Sequence, residues 1–359
     1  MSDPLMVGAG MASQPSPNDR FQQAERAFQA GRYGEAAPIY RQLYEGQVSP
    51  GIMSWRLAAI AAAQGALDQA WDLYHQAIRV DPRLAASITP AEFAHHNLVC
   101  KPHYDSEAVP LCPVCGGSEQ KPLMVVCYLE WSVYHPSFSP VRRWVQCQSC
   151  GHGFANPRPT KSAIEEAFRD PPPAHLLTWQ YATLTIYSDI IHQLWRRRPG
   201  GDWLDVGAAS GAFAAVAVDF GYRVTGLDIH PGYADHVRAL GVEFLQGDIA
   251  DYDFGGRKFD VVSMGDVIEH VADPKRAVAA VASILKPGGL VWLSTPNYEG
   301  VWTRAMKEKD GMWKEGEHLH FFSLRSLNRL LHDQGLKIVD YRLSKRFVGC
   351  AEVTVERET

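Results

Sequence analysis

The sequence predicts an α/β protein: a doubly wound, largely parallel sheet in its C-terminal half, preceded by an all-α repeat segment and a small β module closed by four cysteines. Three observations carry this. From Asp202 onward, short apolar runs alternate with helical patterns, the order that builds a sheet covered by helices. Residues 31–40 (GRYGEAAPIY) and 65–74 (GALDQAWDLY) repeat one another at an offset of 34 residues. Between repeat and sheet stand two Cys-x-x-Cys-Gly units, at 112–116 and 147–151. The expected organisation is a disordered lead-in at 1–17, helical repeats at 18–95, the cysteine module at 105–160, a helical linker and lid at 161–198, and the α/β domain at 199–359.

A chain of 359 residues exceeds one ordinary core, and 46% hydrophobic with 21% charged residues is the balance of a globular protein. The lead-in, MSDPLMVGAGMASQPSPNDR, has neither a basic n-region nor an apolar h-region, so it does not read as a signal peptide. No apolar run reaches the ~20 residues of a bilayer span. A cytoplasmic location without a membrane span is therefore expected, and thiols stay reduced there. The net charge of −5 argues against a surface that neutralises phosphates, so nucleic acid is not an expected partner. Arg196, Arg197 and Arg198 read as a solvated helix end.

Within the repeat, the offset aligns Gly31 with Gly65, Tyr33 with Leu67, Ala36 with Ala70 and Tyr40 with Tyr74. Glycine serves the turn between two helices, alanine the point where they cross, and Asp81-Pro82 stops the second unit. The period and residue types resemble the tetratricopeptide repeat. The resemblance implies a surface for a peptide or protein partner, with a docking or dimerisation collar as the alternative. Two units are fewer than such arrays need alone, so the second is expected to pack on residues 91–100 or on the cysteine module.

Two thiolates separated by two residues can grip one Zn²⁺ from a tight turn, and two such turns give a tetrahedral shell of Cys112, Cys115, Cys147 and Cys150. Gly116 and Gly151 let backbone N–H groups point at the sulfurs. A closed four-thiolate shell has no open position, so this zinc is expected to be structural; reduced buried cysteines are the alternative. Cys100, Cys127 and Cys350 have no partners at ligand spacing and read as ordinary buried cysteines. Residues 123–134 and 141–145 are the expected strands. The continuation GHGFANPRPT resembles the zinc ribbon that precedes the catalytic domain in many bacterial methyltransferases of sugar and polysaccharide pathways. Helices at 161–169 and 176–195 lead onward, with the break at 170–173 where a lid could sit. All four ligands lie in one module, so loss of Cys115 is expected to unfold the ribbon and leave the α/β domain intact.

In the α/β domain, Trp203-Leu-Asp205-Val-Gly207-Ala-Ala-Ser-Gly211 is a strand running into a glycine-bearing turn and a helix over 212–219. Gly207 and Gly211 let the backbone approach a ligand, and Asp205 can hold the turn or reach a ligand amino group through water. Asp228 ends the next strand, 222–227, placed to accept two ribose hydroxyls; Asp248 follows a third strand, 242–245, where its carboxylate suits an adenine amino group. Ile229, Ile249 and Met264 complete the expected cofactor-binding set. Then come 259–264, Asp266-Val-Ile-Glu269-His270, Leu285-Lys-Pro-Gly-Gly289 and 291–297 in order. This succession resembles class I S-adenosylmethionine-dependent methyltransferases over residues 200–356. The resemblance implies S-adenosylmethionine as methyl donor and a Rossmann-like seven-stranded sheet closed by an antiparallel pair at 337–343 and 347–355. Ala209 stands where the family has its middle glycine, tolerable if its φ stays negative.

Methyl transfer needs an aligned acceptor and a group to take its proton. Asp266, Glu269 and His270 fall at i, i+3 and i+4, so a helical turn puts all three on one face. They resemble the Glu-x-x-Glu-His of ubiquinone-pathway and RNA-terminal O-methyltransferases. In the RNA enzymes a later histidine completes a divalent-metal site, so that resemblance implies Mg²⁺ or Mn²⁺ on Asp266, Glu269, His270 and His320. The run Glu317-His318-Leu319-His320-Phe321-Phe322-Ser323 instead resembles one in sugar C-methyltransferases, which implies His318 as base on a keto-sugar. The expected catalytic residues are His270, His318, His320 and Glu317. O-methylation of a hydroxyl on a sugar or similar small metabolite is the favoured reading. C-methylation of a keto-sugar and an S-adenosylmethionine-binding scaffold are the alternatives.

Overall fold

A computed structural model of the chain describes residues 15–84, 100, 103–127, 129, 137–167 and 179–357. Most of the expected lead-in, the segment 91–99, the far end of the first expected ribbon strand and the expected break at 170–173 lie outside them.

Helices α1 (Pro17–Gln29), α2 (Tyr33–Glu45), α3 (Pro50–Ala63) and α4 (Leu67–Val80) form two hairpins. Ser16 and Asp19 make a reciprocal capping box, and Pro17 occupies the first turn, where its missing donor costs nothing. Gly31 and Gly65 turn the chain at φ 71° and 78°, conformations that disfavour any residue with a Cβ. Ala36 and Ala70 have no exposed surface, and Tyr40 and Tyr74 are buried, so the 34-residue offset recurs in the packing. The second hairpin does not end in solvent. Its Trp55, Ala58 and Ile78 share a core with Val125, Cys127, Phe138 and Val141 of the cysteine module.

That module holds β1 (Ser106–Glu107), β2 (Gln120–Cys127), β3 (Val141–Cys147), β4 (Gly153–Ala155) and β5 (Arg158–Pro159). Strands β2, β3 and β4 pair antiparallel, while β1 pairs with β5. A fourth strand of this sheet comes from far along the chain: His320 and Phe321 pair with Phe154 and Gly153.

After α5 (Lys161–Ala167) and α6 (Tyr181–Arg197) comes the α/β domain. Its elements are β6 (Gly201–Val206), α7 (Ala212–Asp219), β7 (Tyr222–Asp228), α8 (Ala234–Ala239), β8 (Glu243–Gln246), β9 (Phe259–Gly265), α9 (Pro274–Ile284) and β10 (Leu285–Pro296). Then follow α10 (Val301–Met306), β11 (His320–Phe321), α11 (Leu324–His332), β12 (Leu336–Leu343) and β13 (Cys350–Arg357). The seven-stranded sheet has the order β12-β13-β10-β9-β6-β7-β8, with β13 antiparallel to both neighbours and the other central pairs parallel. Side chains alternate across it. Leu204, Val206, Val262, Met264 and Leu293 face one core, and Trp203, Val224, Val261 and Trp292 face the other. The last strand begins at Cys350 rather than at 347, because residues 344–349 turn sharply through Gly349 at φ 87°.

The cysteine module and the α/β domain share a core. Val145, Cys147 and Phe154 pack with Phe322, Leu327 and Leu330. Trp144 of β3, fully buried, lies 4.4 Å from the Phe321 ring and 6.0 Å from Trp313, centroid to centroid. Replacing Trp144 by Ala should therefore cost about 3–5 kcal/mol, the usual range for deleting a buried aromatic. Urea unfolding followed by far-UV circular dichroism should show the loss in the C-terminal sheet as well. An unchanged transition there would mean the two sheets fold separately.

Candidate active site

The parallel strands β6 and β7 end side by side, and the turns that follow them carry the expected cofactor residues. Gly207 leaves β6 at φ 71°, and a Cβ there would meet Val267 Cγ2 at 2.6 Å, so only glycine fits. The next turn departs from expectation: Ala209 sits at φ 45°, in the left-handed region. What holds it there is Asp228. Its Oδ2 accepts from Ala209 N at 2.8 Å and its Oδ1 from His230 N at 2.8 Å, so this strand-end carboxylate fixes the loop and the turn beyond it. Gly211 caps α7 at φ 74°. Asp205 is buried and accepts from Ser263 Oγ at 2.6 Å, and burial pushes its carboxyl up to about 7. Asp248 accepts from Ala250 N at 2.9 Å, closing a local turn. Ile249 and Met264 are packed into the core, whereas Ile229 stands 44% exposed beside Asp228.

The expected divalent set is not assembled. Residues 266–270 form an irregular turn instead of a helix, since Asp266 takes φ 56°. That backbone sends the Asp266 side chain to Arg346 Nη2 at 2.9 Å and Ser294 Oγ at 2.7 Å, so its carboxylate is engaged there and is not grouped with the Glu269 and His270 ligand atoms. The helix that follows is capped by Asp273, not by Asp266. His320 is spent as well: Nδ1 lies 3.1 Å from His152 Nε2 and Nε2 lies 2.9 Å from the Val271 carbonyl.

His318, and not His320, stands beside Glu269 and His270. Glu269, His270 and His318 each offer a ligand atom within 4.8 Å of the others, and the two imidazole rings meet edge-on at 4.8 Å. His270 Nδ1 lies 3.2 Å from the Glu317 carbonyl. Burial pushes His270 down to about 4 and holds His318 well below the usual imidazole range. Burial, with the Asp266 charge beside it, drives Glu269 well above the carboxylate range. At neutral pH both imidazoles of the cluster are thus neutral, and burial favours the protonated form of Glu269. Among the described residues, Glu269 Oε2, Thr295 Oγ1 and His318 Nδ1 are buried without a hydrogen-bond partner.

The ribbon holds this loop. The buried Arg142 of β3 donates Nη1 to the His318 carbonyl at 3.0 Å and Nη2 to the Gly316 carbonyl at 2.9 Å. Leu319 and His320 donate their N–H groups to the Glu269 carbonyl at 2.8 and 3.1 Å. Arg325 Nη2 donates to the Ser149 carbonyl at 2.8 Å, inside the second knuckle. Arg142, His152 and Arg346 were not singled out from sequence. The one signal for Arg142 is an arginine pair inside an otherwise apolar strand. The knuckle side and the histidine loop are parts of one sheet, so loss of the ribbon should be felt in the α/β domain, where the sequence led us to expect none.

The four cysteines converge. Cys112 and Cys150 sulfurs lie 3.6 Å apart and those of Cys115 and Cys147 3.5 Å apart, near the edge of about 3.8 Å that a tetrahedron of 2.3 Å Zn–S bonds requires. Gly116 and Gly151 take φ 75° and 74°. Backbone donors from Ser149 and Cys150 reach Cys147, and against the cost of burial its thiol is drawn down to about 7.

Residues 179–341 match the family model described as a methyltransferase domain. A Mycolicibacterium smegmatis protein named "Probable S-adenosylmethionine-dependent methyltransferase" is 35% identical over 112 residues, 30% of this chain and 44% of its own. The ubiquinone biosynthesis O-methyltransferase of Xanthomonas campestris is 34% identical over 109 residues, 28% of this chain and 44% of its own. The chain thus spans less than half the length of these curated relatives. Magnesium protoporphyrin IX methyltransferase from Synechocystis, solved with bound S-adenosylhomocysteine, superposes at TM-score 0.42 and 19% identity over 49% of this chain and 84% of that one. Residues 179–341 are thus similar to a methyltransferase domain, and part of that stretch to proteins named as S-adenosylmethionine-dependent methyltransferases.

The buried histidines and carboxyls pull stability in opposite directions with pH. Unfolded His320 gains its proton near pH 6.5, but the folded side chain, pushed down by burial, gains it only at about 3. Between those values the unfolded state binds more protons, so this residue subtracts about 1.4 kcal/mol of stability per unit fall in pH. Burial raises Glu317 to about 7, so the folded state is the one that binds the extra proton below that pH, and stability rises as pH falls. Urea midpoints of His320→Gln and Glu317→Gln should therefore tilt against wild type in opposite senses between pH 4.5 and 6.5. Parallel profiles would mean neither group is buried as described.

Proposed function

We propose that the protein methylates a hydroxyl of a sugar or related small metabolite with S-adenosylmethionine, and that His318 takes the hydroxyl's proton. The observation that carries this is the buried cluster of His318, His270 and Glu269, next to the turns at the ends of β6 and β7. S-adenosylmethionine supplies a methyl group on a positively charged sulfur. The residues present suit it. Asp228 keeps lone pairs for a ribose diol after bonding Ala209 and His230, Ile229 offers exposed apolar surface, and Asp205 and Asp248 offer further carboxylates. A neutral imidazole has a free lone pair to take the proton, burial lowers its basicity so that the proton must be passed on rather than kept, and the Arg142 bonds fix its backbone.

The four cysteines suit one structural Zn²⁺, a closed shell in keeping with a cytoplasmic protein whose thiols stay reduced. The two hairpins suit a tetratricopeptide-like pair whose first unit meets a peptide or protein partner, the second being taken up by the ribbon. No helix among the described residues is long and apolar enough to cross a membrane. A second reading, with Mg²⁺ or Mn²⁺ assisting, is favoured by one observation. Glu269, His270 and His318 could share a cation in place of the set first expected.

Two measurements test the proposal. Asp228→Ala should weaken S-adenosylmethionine binding by about 1.5–3 kcal/mol in calorimetric titration, the range for hydrogen bonds to a charged group. Unchanged affinity would remove these turns from consideration. With an acceptor found by a labelled-methyl screen, His318→Ala should lower kcat/KM by about 10²–10⁴-fold, the usual contribution of a positioned base. The pH profile of wild-type kcat/KM should carry an inflection near 7 from Asp205 and Glu317 and none from His318, which burial holds well below the usual imidazole range, so the profile should keep its shape in His318→Ala. A chelator that leaves about one zinc per chain in place should not change the initial rate; if it abolishes turnover and Mn²⁺ restores it, the metal reading replaces the base.

A further inference from the structure

Exposed apolar side chains gather where α10 meets the turn between β12 and β13. Val301 and Trp302 of α10, Leu343 at the end of β12, and Phe347 and Val348 of the turn are each between 40% and 65% exposed. They make up five of the twelve large hydrophobic side chains that stand in solvent among the described residues, so the exposure is concentrated rather than scattered. The two segments touch: a Cβ on Gly349 would meet Trp302 Cδ1 at 2.9 Å. The turn is pinned to the sheet. Arg346 bonds Asp266 at 2.9 Å, and the N–H groups of Arg346 and Phe347 donate to Ser344 Oγ at 3.0 and 3.4 Å. Cationic side chains border the patch. Arg304 lies one helical turn from Val301, with Lys307 and Lys309 following it. These three are exposed and have no ion-pair partner among the described residues, and Glu308 is the one carboxylate in the run 300–309. Lys345 in the turn reaches Asp189 at 3.3 Å, with both side chains largely exposed.

We propose that this surface docks on a bilayer containing anionic lipid, with Trp302, Phe347 and Val348 seated at the interface and the basic side chains against the headgroups. Shape and charge together favour that occupant. The patch is built on a helix and a hairpin turn, which project rather than enclose, so it suits a soft planar surface. Tryptophan favours the boundary between headgroups and acyl chains, and Lys and Arg gain from the surface potential of an anionic leaflet. A second copy of the chain is disfavoured, because about a twofold axis the patch would meet itself and set Arg304, Lys307 and Lys309 against their own copies. The proposal does not rest on methyl transfer, although Arg346 ties this turn to Asp266, in the same irregular turn as Glu269 and His270.

The test is flotation of the full chain with vesicles, read as a partition coefficient. Vesicles of phosphatidylcholine and phosphatidylglycerol in equal parts should carry the protein, and phosphatidylcholine alone should bind it at least about tenfold more weakly. Raising the salt from about 0.1 to about 0.5 M should release it, because salt screens exposed charges. Two double variants, Val301→Ser with Val348→Ser and Arg304→Gln with Lys307→Gln, should each lower the coefficient by about tenfold or more. All four side chains are exposed, so both variants should match the wild type in far-UV circular dichroism. The lipid and salt dependence of the wild type decides the matter without any variant. No flotation with the mixed vesicles, equal binding to phosphatidylcholine alone, or wild-type partition in both double variants overturns the proposal. So does a dimer in lipid-free buffer that Val301→Ser with Val348→Ser dissolves in sedimentation equilibrium, which would give the patch to a second copy.

Discussion

The pairing of His320 and Phe321 with β4 is the constraint on which the rest of the molecule depends. Two residues of strand are a weak element alone, since a pair so short fixes few hydrogen bonds. They hold because the arginine of β3 grips the carbonyls just upstream, and because Trp144, Phe321 and Trp313 close over the junction. Remove that junction and the loop bearing His318 is left with its bonds to the turn at 269–271, at the Glu269 and Val271 carbonyls and the His270 ring. The cysteine knuckles are thus a brace for the histidine loop as much as a module of their own.

At the ends of β6 and β7, order comes from a single carboxylate. Asp228 accepts hydrogen bonds from both the glycine-bearing loop and the turn after β7, and so keeps Ala209 in a conformation it would otherwise avoid. Bonds within the chain alone suffice to set the loop's shape. Preorganisation of this kind lowers the conformational entropy lost on binding.

Much of this was legible in the sequence, and the reason is local. Glycine turns, carboxylates at strand ends, the alternation of strand and helix and the Cys-x-x-Cys pairs each express themselves within a few residues. The seven strands and the four-cysteine cluster accordingly stand close to where they were expected. The misses are non-local. His318 and His320 are equivalent on paper, and what separates them is His152, 168 positions away, which engages one and leaves the other to Glu269. Asp266 looked helical by spacing, but its neighbour Arg346, from a turn near the C-terminus, captures it. Ala209 reads as tolerable only at a negative φ, the one that alanine prefers, and a buried carboxylate overrides that preference.

The shared sheet has a consequence for how the chain is made. The edge of β4 emerges from the ribosome long before its partner does, with 168 residues separating His152 from His320. At about 5–20 residues per second, that edge waits about ten to thirty seconds for its last strand. An open, apolar strand edge is an invitation to the wrong neighbour, so synthesis at high local concentration favours pairing between nascent chains. The order of the modules along the chain, brace first and histidine loop last, makes translation speed itself a determinant of how much protein reaches the native state.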